Sequence, residues 1–305
     1  MAPIRRFLIT DAIGKQGGAV VSSLVEHRSK LPSDQKFEIL CLTPNATSEK
    51  AVSLASTDGV TIVVGNLFFP LSALDKAVPI DAVFCMTCPS DLGDEEKQAT
   101  ALIDACLTHE VKHFVFRSVD RGGVELSETN PTDIPNFRSK HNVEKYLKEK
   151  CAESQMTWTI LRPVAFMDNM MPNMTGKAFA AIWAQIGEKP LQLVSARDIG
   201  HFGALALVNP EEYVGRAVGL AGDELNFEKA QRVFRETIGY EMPRTWSFVA
   251  SLIKFAIPEM GLMFKWLQEE GYAVDIKDLR EEYPELQDFG TWLRDDSQHE
   301  LGLPA

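Results

Sequence analysis

Two stretches of this sequence place chemically useful residue types at useful spacings. The first is Thr10-Asp11-Ala12-Ile13-Gly14-Lys15-Gln16-Gly17-Gly18. It closes a short apolar run, residues 7–10, and leads into an amphipathic pattern over 17–27, with Val20, Val21, Leu24 and Val25 on one side. Glycines between a strand and a helix let a backbone approach a pyrophosphate closely. The helix start adds free N–H groups and the positive end of the peptide dipole. The stretch reads as a dinucleotide-binding turn; the competing reading is a bare strand-to-helix turn. The second stretch is Cys85-Met86-Thr87-Cys88, a C-x-x-C. It is either a redox pair or half a zinc site, or two unrelated thiols that fall three apart. With no second C-x-x-C and no Cys/His cluster nearby, the unrelated thiols are the preferred reading and no metal site is assigned.

The elements that must position the turn are legible as alternating short apolar runs and helical patterns, the signature of a parallel α/β sheet. Residues 7–10, 38–42, 60–64, 83–86, 114–116 and 158–161 read as six strands, with helices over 94–109 and 139–152. Past Arg162-Pro163 the pattern changes. Residues 166–177, rich in Met, Asn and Pro, read as a loop. Residues 191–194 and 198–208 read as a strand and a helix. From Asn226 onward the chain is mostly helical, with amphipathic stretches over 227–238, 260–270 and 276–282. The expected organisation is a doubly wound, Rossmann-type α/β domain over 1–165 and a smaller, mostly helical lobe over 166–305, with segments returning to the first domain.

Composition narrows the partners. The 305 residues are 45% hydrophobic and 24% charged, with a formal net charge of −12. That acidity argues against a basic surface for nucleic acid or anionic lipid, though not against a regulator that binds another protein. The apolar stretch 246–266 is interrupted by Lys254, Pro258, Glu259 and Lys265, so no membrane span is expected. Residues 7–10 are too short for a signal-peptide core. Five irregularly spaced cysteines suit a reducing compartment. The expectation is a cytosolic protein, with the nucleus also open.

The turn resembles the T-G-A-T-G-x-Q-G-G sequence of the NmrA-like branch of the atypical short-chain dehydrogenases, with Asp11 in place of the first glycine and Ile13 in place of the second threonine. The resemblance implies that Asp11, Ala12, Ile13, Gly14, Lys15, Gln16 and Gly17 line a dinucleotide. A carboxylate beside a phosphate is repelled by it, unless it turns toward an N–H or a ribose hydroxyl. Leu42-Thr43-Pro44-Asn45 is similar to the segment in which family members carry an arginine for the 2′-phosphate of NADP. Pro44 fills that place, leaving Thr43, Asn45, Thr47, Ser48 and Lys50 as weaker candidates. Gly65-Asn66-Leu67 resembles a G-D-L motif beside the adenine, and Thr87 falls where the family lines the cleft. NADP and NAD both remain open.

Ordinary short-chain dehydrogenases use Ser, Tyr and Lys, the last two as Y-x-x-x-K. The tyrosine exchanges the proton while the lysine lowers its pKa and holds the nicotinamide ribose. Phe137-Arg138-Ser139-Lys140-His141-Asn142-Val143-Glu144-Lys145-Tyr146-Leu147 resembles the family's H-F-x-S-K-x-x-V-E-x-Y-L. This makes Lys140 the family lysine and Ser118 the candidate serine. Asn136 stands where the tyrosine would, and an amide exchanges no useful proton near neutrality. Lys140 is then a cofactor anchor, or an acid/base if burial lowers its pKa; the bland alternative is a solvated helix lysine. Asp120 and His141 are further proton carriers to weigh, each more often plain surface. Val119-Asp120-Arg121-Gly122-Gly123 resembles a family loop over the cleft, from which Arg121 could reach an anionic substrate; a structural turn is an equal reading. Phe166-Met167-Asp168-Asn169 resembles a segment that closes over the nicotinamide end. Asp198-Ile199-Gly200 resembles a D-I-G that anchors the C-terminal lobe. The leading expectation is an NAD(P)-dependent oxidoreductase of a small organic substrate, with specialised metabolism implied by fungal relatives. The alternative is a catalytically silent dinucleotide sensor acting on a regulatory protein partner.

Overall fold

In the computed structural model, residues 5–87 and 94–299 are described. Cys88, the second thiol of the C-x-x-C, lies outside them, as does Pro89. The strands are β1 (Arg6–Ile9), β2 (Glu38–Thr43), β3 (Val60–Val64), β4 (Ala82–Cys85), β5 (His113–Arg117), β6 (Thr157–Pro163), β7 (Ala165–Phe166), β8 (Leu191–Val194), β9 (Ala217–Leu220) and β10 (Asp223–Leu225). Seven form one sheet in the order β3-β2-β1-β4-β5-β6-β9. Its central pairs are parallel: Leu8 lies opposite both Leu40 and Val83, Val83 opposite Phe114, and Phe114 opposite Trp158.

Strands β4 and β5 are buried along their whole lengths, because helices cover both faces of the sheet. This is why they read as unbroken apolar runs rather than as an alternation. The strand order reverses between β1 and β4. In an open parallel sheet that switch point leaves a crevice beyond the strands' carboxyl ends, where ligands bind. The Gly-rich turn follows β1 and Met86-Thr87 follows β4, so both stand at that crevice. The fold is Rossmann-like, as expected.

The chain forms two compact units. One gathers the chain up to Ser118 with Ser139–Arg162 and Ile199–Val218. The other gathers Val119–Arg138, Pro163–Asp198 and the chain from Gly219 onward. The first holds a core that includes Leu8, Leu40, Val83, Phe114, Phe116 and Ile160. The second is built on a three-stranded sheet, β10-β8-β7, packed with helices around Met167, Trp183, Phe227, Phe234, Phe289 and Trp292.

Three sequence expectations are corrected here. Residues 166–177 are not a loop: they form β7, a 3-10 turn (Met167–Met170) and the start of a helix, Met174–Trp183. Asn173 caps that helix by accepting the Gly176 N–H at 2.9 Å. Of the methionines in this segment, Met167 and Met170 are core, only 0% and 3% exposed, whereas Met174 is exposed. Gly122 and Gly123 do not mark a flexible loop. They start the helix Gly123–Thr129 with positive φ of 98° and 86°, and Asp120 accepts both of their N–H groups at 3.1 Å. Arg121 does not reach outward for an anion; it is fully buried, donating to the carbonyls of Val119 and Ser127. Strand β9 and the helices Glu49–Ala55 and Pro70–Ala77 are absent from the sequence reading, whereas Ser247–Ala256 falls in the mostly helical region expected after Asn226.

Candidate functional site

The turn after β1 is fixed from below by Thr10. Its hydroxyl donates to the Met86 carbonyl and accepts the Met86 N–H, both at 2.7 Å. The ends of β1 and β4 are thereby clamped across the switch point. The chain then turns at Asp11 with φ 52°, in the left-handed region. That conformation suits glycine and is tolerated by Asp and Asn, which accounts for the glycine of the resembling motif. Gly14 N–H closes the turn on the Asp11 carbonyl at 2.8 Å, and the helix Lys15–Ser29 follows. Gly17 permits close packing: a Cβ there would stand 2.4 Å from the carbonyl oxygens of Thr10 and Asp11. Above Gly14 the space is not clear. A Cβ at Gly14 would stand 2.1 Å from both carboxylate oxygens of Asp11. Ala12 is buried in the core, and Gln16 turns inward to accept the Arg117 Nε–H at 2.7 Å. Lys15 is exposed.

At the end of β2 the polar side chains hold their own turn. Thr43 Oγ1 accepts the Asn45 N–H at 3.2 Å, and Asn45 Oδ1 accepts from the N–H and hydroxyl of Thr47. Ser48 caps the helix Glu49–Ala55. Lys50 behaves differently. It is exposed and donates to the Ile13 carbonyl at 3.2 Å, which brings an ammonium over the glycine turn. Asn66 Oδ1 accepts the Phe68 and Phe69 N–H groups, opening the helix Pro70–Ala77, beside half-buried Leu67.

Lys140 lies on the helix Pro135–Ala152, only 3% exposed, and is paired with equally buried Glu95. The Thr87 hydroxyl donates to the same carboxylate at 2.6 Å. Burial, then the nearby Arg117 charge, lowers the Lys140 pKa to about 8, against the opposing pull of Glu95. Lys140 is therefore no solvated helix lysine. Its ammonium sits beside Thr87 at the end of β4 and can lose a proton close to neutrality. Ser118 is fully buried and donates its hydroxyl to Glu144. Glu144 in turn binds Arg162 by two hydrogen bonds, 3.2 Å from Nε and 2.6 Å from Nη2.

Within the second unit, Asp168 Oδ2 accepts the Ala196 N–H at 3.0 Å, at the start of the helix Ala196–Val208. Phe166 pairs with Val194, Met167 is core, and Asn169 is half-buried. Asp198 accepts from Ser195 and from the Gln287 N–H, tying down the C-terminal segment.

Sequence reasoning missed Thr10, Glu95, Glu144 and Arg162. Glu144 was visible as the glutamate of V-E-x-Y-L. Glu95 was hidden among Asp94-Glu95-Glu96, three acids at a helix start where any would favour the dipole. Among the described residues no group of three or more His, Cys, Asp or Glu could hold a metal ion, and no helix is long and apolar enough to cross a membrane.

The chain resembles known proteins over most of its length. It is 28% identical over 206 residues to an NAD(P)H azoreductase of Xenophilus azovorans, an alignment covering 67% of this chain and 63% of that protein. The chain thus spans a little under two thirds of that relative. The triphenylmethane reductase of Citrobacter sp., solved with NADP(H), superposes with a TM-score of 0.72 at 18% identity, over 94% of this chain and 98% of that one. NmrA, described as a negative transcriptional regulator and solved with NAD, superposes with a TM-score of 0.68 at 13% identity, over 96% and 95%. These two superpositions show a shared fold. The model of the NmrA-like family matches residues 4–293, so this chain belongs to the NmrA-like family.

Proposed function

We propose that this chain is an NAD(P)-dependent oxidoreductase of a small organic substrate, with Lys140 as ribose anchor and proton carrier. The observation that carries the reading is Lys140 itself: a lysine 3% exposed, held by Glu95 at the switch point, with its pKa lowered to about 8. Burying a cation is expensive unless it is paired, and a group titrating near the working pH is suited to acid–base catalysis. A bound nicotinamide dinucleotide would supply or accept the hydride. The chain's own residues supply the rest. The backbone of the turn residues Asp11, Ala12, Ile13, Gly14, Lys15, Gln16 and Gly17 would face the pyrophosphate, with the Ala12 and Gln16 side chains turned inward. Thr43, Asn45 and Lys50 would stand on the adenosine-ribose side, Asn66 and Leu67 by the adenine, and Thr87 along the cleft. Phe166, Asp168 and Asn169 are the proposed nicotinamide-end segment, with Met167 anchoring it in the core. Lys140 would lend the substrate a proton as hydride arrives. The named relatives, reductases of azo and triphenylmethane compounds, support a conjugated electrophile as acceptor, and the fungal resemblance supports an aromatic or polycyclic one in specialised metabolism.

A second reading is favoured by two observations. Asn136 occupies the tyrosine position, and the Ser118 hydroxyl is committed to Glu144. Both suit a dinucleotide sensor that signals by binding a protein partner; NmrA, solved with NAD, is by its description a negative transcriptional regulator. One experiment separates them: NAD(P)H oxidation screened against carbonyls, enones and azo compounds, alongside calorimetric dinucleotide titration. Turnover supports the oxidoreductase; binding of dinucleotide without turnover on any acceptor supports the sensor.

A further inference from the structure

The Gly-rich turn carries a carboxylate of its own. Asp11 adopts φ 52°, and both its carboxylate oxygens lie 2.1 Å from the point where a Gly14 Cβ would stand. Gly14 is the N-cap residue of a fifteen-residue helix that has no acidic residue in its first turn. A negative charge is favoured at such a helix start, and Asp11 supplies it from just outside the helix. The space over Gly14 is also what a pyrophosphate needs at a turn of this kind. Two anions then compete for one place.

We infer that Asp11 is an affinity-setting residue: its carboxylate stands in the pyrophosphate position of the turn and must swing aside before a dinucleotide binds. The inference rests on the dinucleotide reading above. Because the pyrophosphate is common to both cofactors, Asp11 weakens NADH and NADPH alike and contributes nothing to the choice between them. That separates it from a residue that reads the ribose.

The test uses the full chain and three forms of it: wild type, Asp11→Asn and Asp11→Gly. Asn tolerates the left-handed conformation and keeps the bulk without the charge. Gly removes both and relieves the backbone. Melting curves verify that each variant folds. NADH and NADPH are titrated separately by calorimetry. Asp11→Gly is expected to tighten both at least tenfold, Asp11→Asn to fall between, and the NADH-to-NADPH ratio to stay within about twofold, as removal of one like charge near a phosphate requires. Equal dissociation constants in all three forms overturn the inference and leave the dinucleotide reading standing. Weaker binding by Asp11→Gly also overturns it, since Asp11 would then be a favourable contact such as a ribose acceptor. If no form binds either dinucleotide at millimolar concentration, the dinucleotide reading itself fails and the inference falls with it.

Discussion

Glu144 offers the sharpest test of how the interior of the site is held. It is 3% exposed, accepts the Ser118 hydroxyl, and grips the 2%-exposed Arg162 by two hydrogen bonds. Glu144→Ala would deprive the buried Arg162 guanidinium of the carboxylate that holds it by two hydrogen bonds. Removing one member of a buried ion pair costs about 3–5 kcal/mol. At roughly 2–4 °C per kcal/mol for a chain of this size class, the melting temperature should fall by roughly 6–20 °C. Ser118→Ala removes one hydrogen bond to a charged acceptor and should cost about 1.5–3 kcal/mol. The two losses should not add, because the serine has no carboxylate to bind once Glu144 is gone. The assay is calorimetric melting of the two single variants and the double, with dinucleotide affinity measured on each. A Glu144→Ala protein melting within 2 °C of wild type, as a rough threshold for under about 1 kcal/mol, would refute the buried-pair argument. A Ser118→Ala protein that keeps its melting temperature but loses turnover would refute the structural role given to Ser118 and return it to the chemistry.

Lys140→Met keeps the side-chain length and removes the proton and charge. With a proton-carrying lysine, turnover at saturating cofactor should drop by about 10²–10⁴-fold, whereas a ribose anchor would lose affinity and recover its rate at saturation. In the wild type, reduction should slow as pH rises through about 8, where the ammonium is lost; a rate flat from pH 6 to about 10 in a profile of kcat would exclude Lys140 as the acid. Lys50→Ala should weaken NADPH by about tenfold more than NADH, or roughly 1.4 kcal/mol, if its ammonium over Ile13 compensates for Pro44; equal losses in paired titrations would remove it from the phosphate site. Asp198 is fully buried, its Oδ1 has no hydrogen-bond partner among the described residues, and burial raises its pKa from 3.8 to about 6. The folded state therefore holds a proton that the unfolded chain releases between about pH 4 and 6, so stability falls as pH rises through that window, by about 3 kcal/mol in total. Asp198→Asn should flatten that slope, and a wild type that instead gains stability over the variant from pH 4 to 6 in urea melts would contradict it.

The sheet was legible because burial on both faces writes itself into composition. Strands such as Ala82–Cys85 and His113–Arg117 are short apolar runs, and the helices between them keep one apolar stripe. Elements whose burial is shared unequally were not legible. Ala217–Leu220 alternates buried and half-buried positions over only four residues at the edge of the sheet. Met174–Trp183 follows Pro172 and Asn173, which read as loop residues until Asn173 is seen capping Gly176. In both cases the deciding term is tertiary, since a strand or helix this short is marginal without the surface it packs on.

The site divides in the same way. A glycine needed for a left-handed turn or a close approach leaves a mark in sequence, and so the frame from Thr10 to Gly18 was readable down to the substitution at Asp11. What an ionisable side chain does leaves no such mark, because it depends on which charge meets it in the interior. Glu95 and Glu96 are indistinguishable by type and adjacent in sequence, yet one is buried on Lys140 and Thr87 while the other faces outward toward Asn142. Lys140 itself is one of many helix lysines until Glu95 is placed beside it. The same holds for Asp11: the sequence gives the carboxylate, but only the positive φ aims it at Gly14 rather than at a ribose. A family frame therefore transfers the backbone of this site reliably, whereas its proton chemistry and its affinity are set by the three or four charged residues at which this chain departs from the frame or pairs within it.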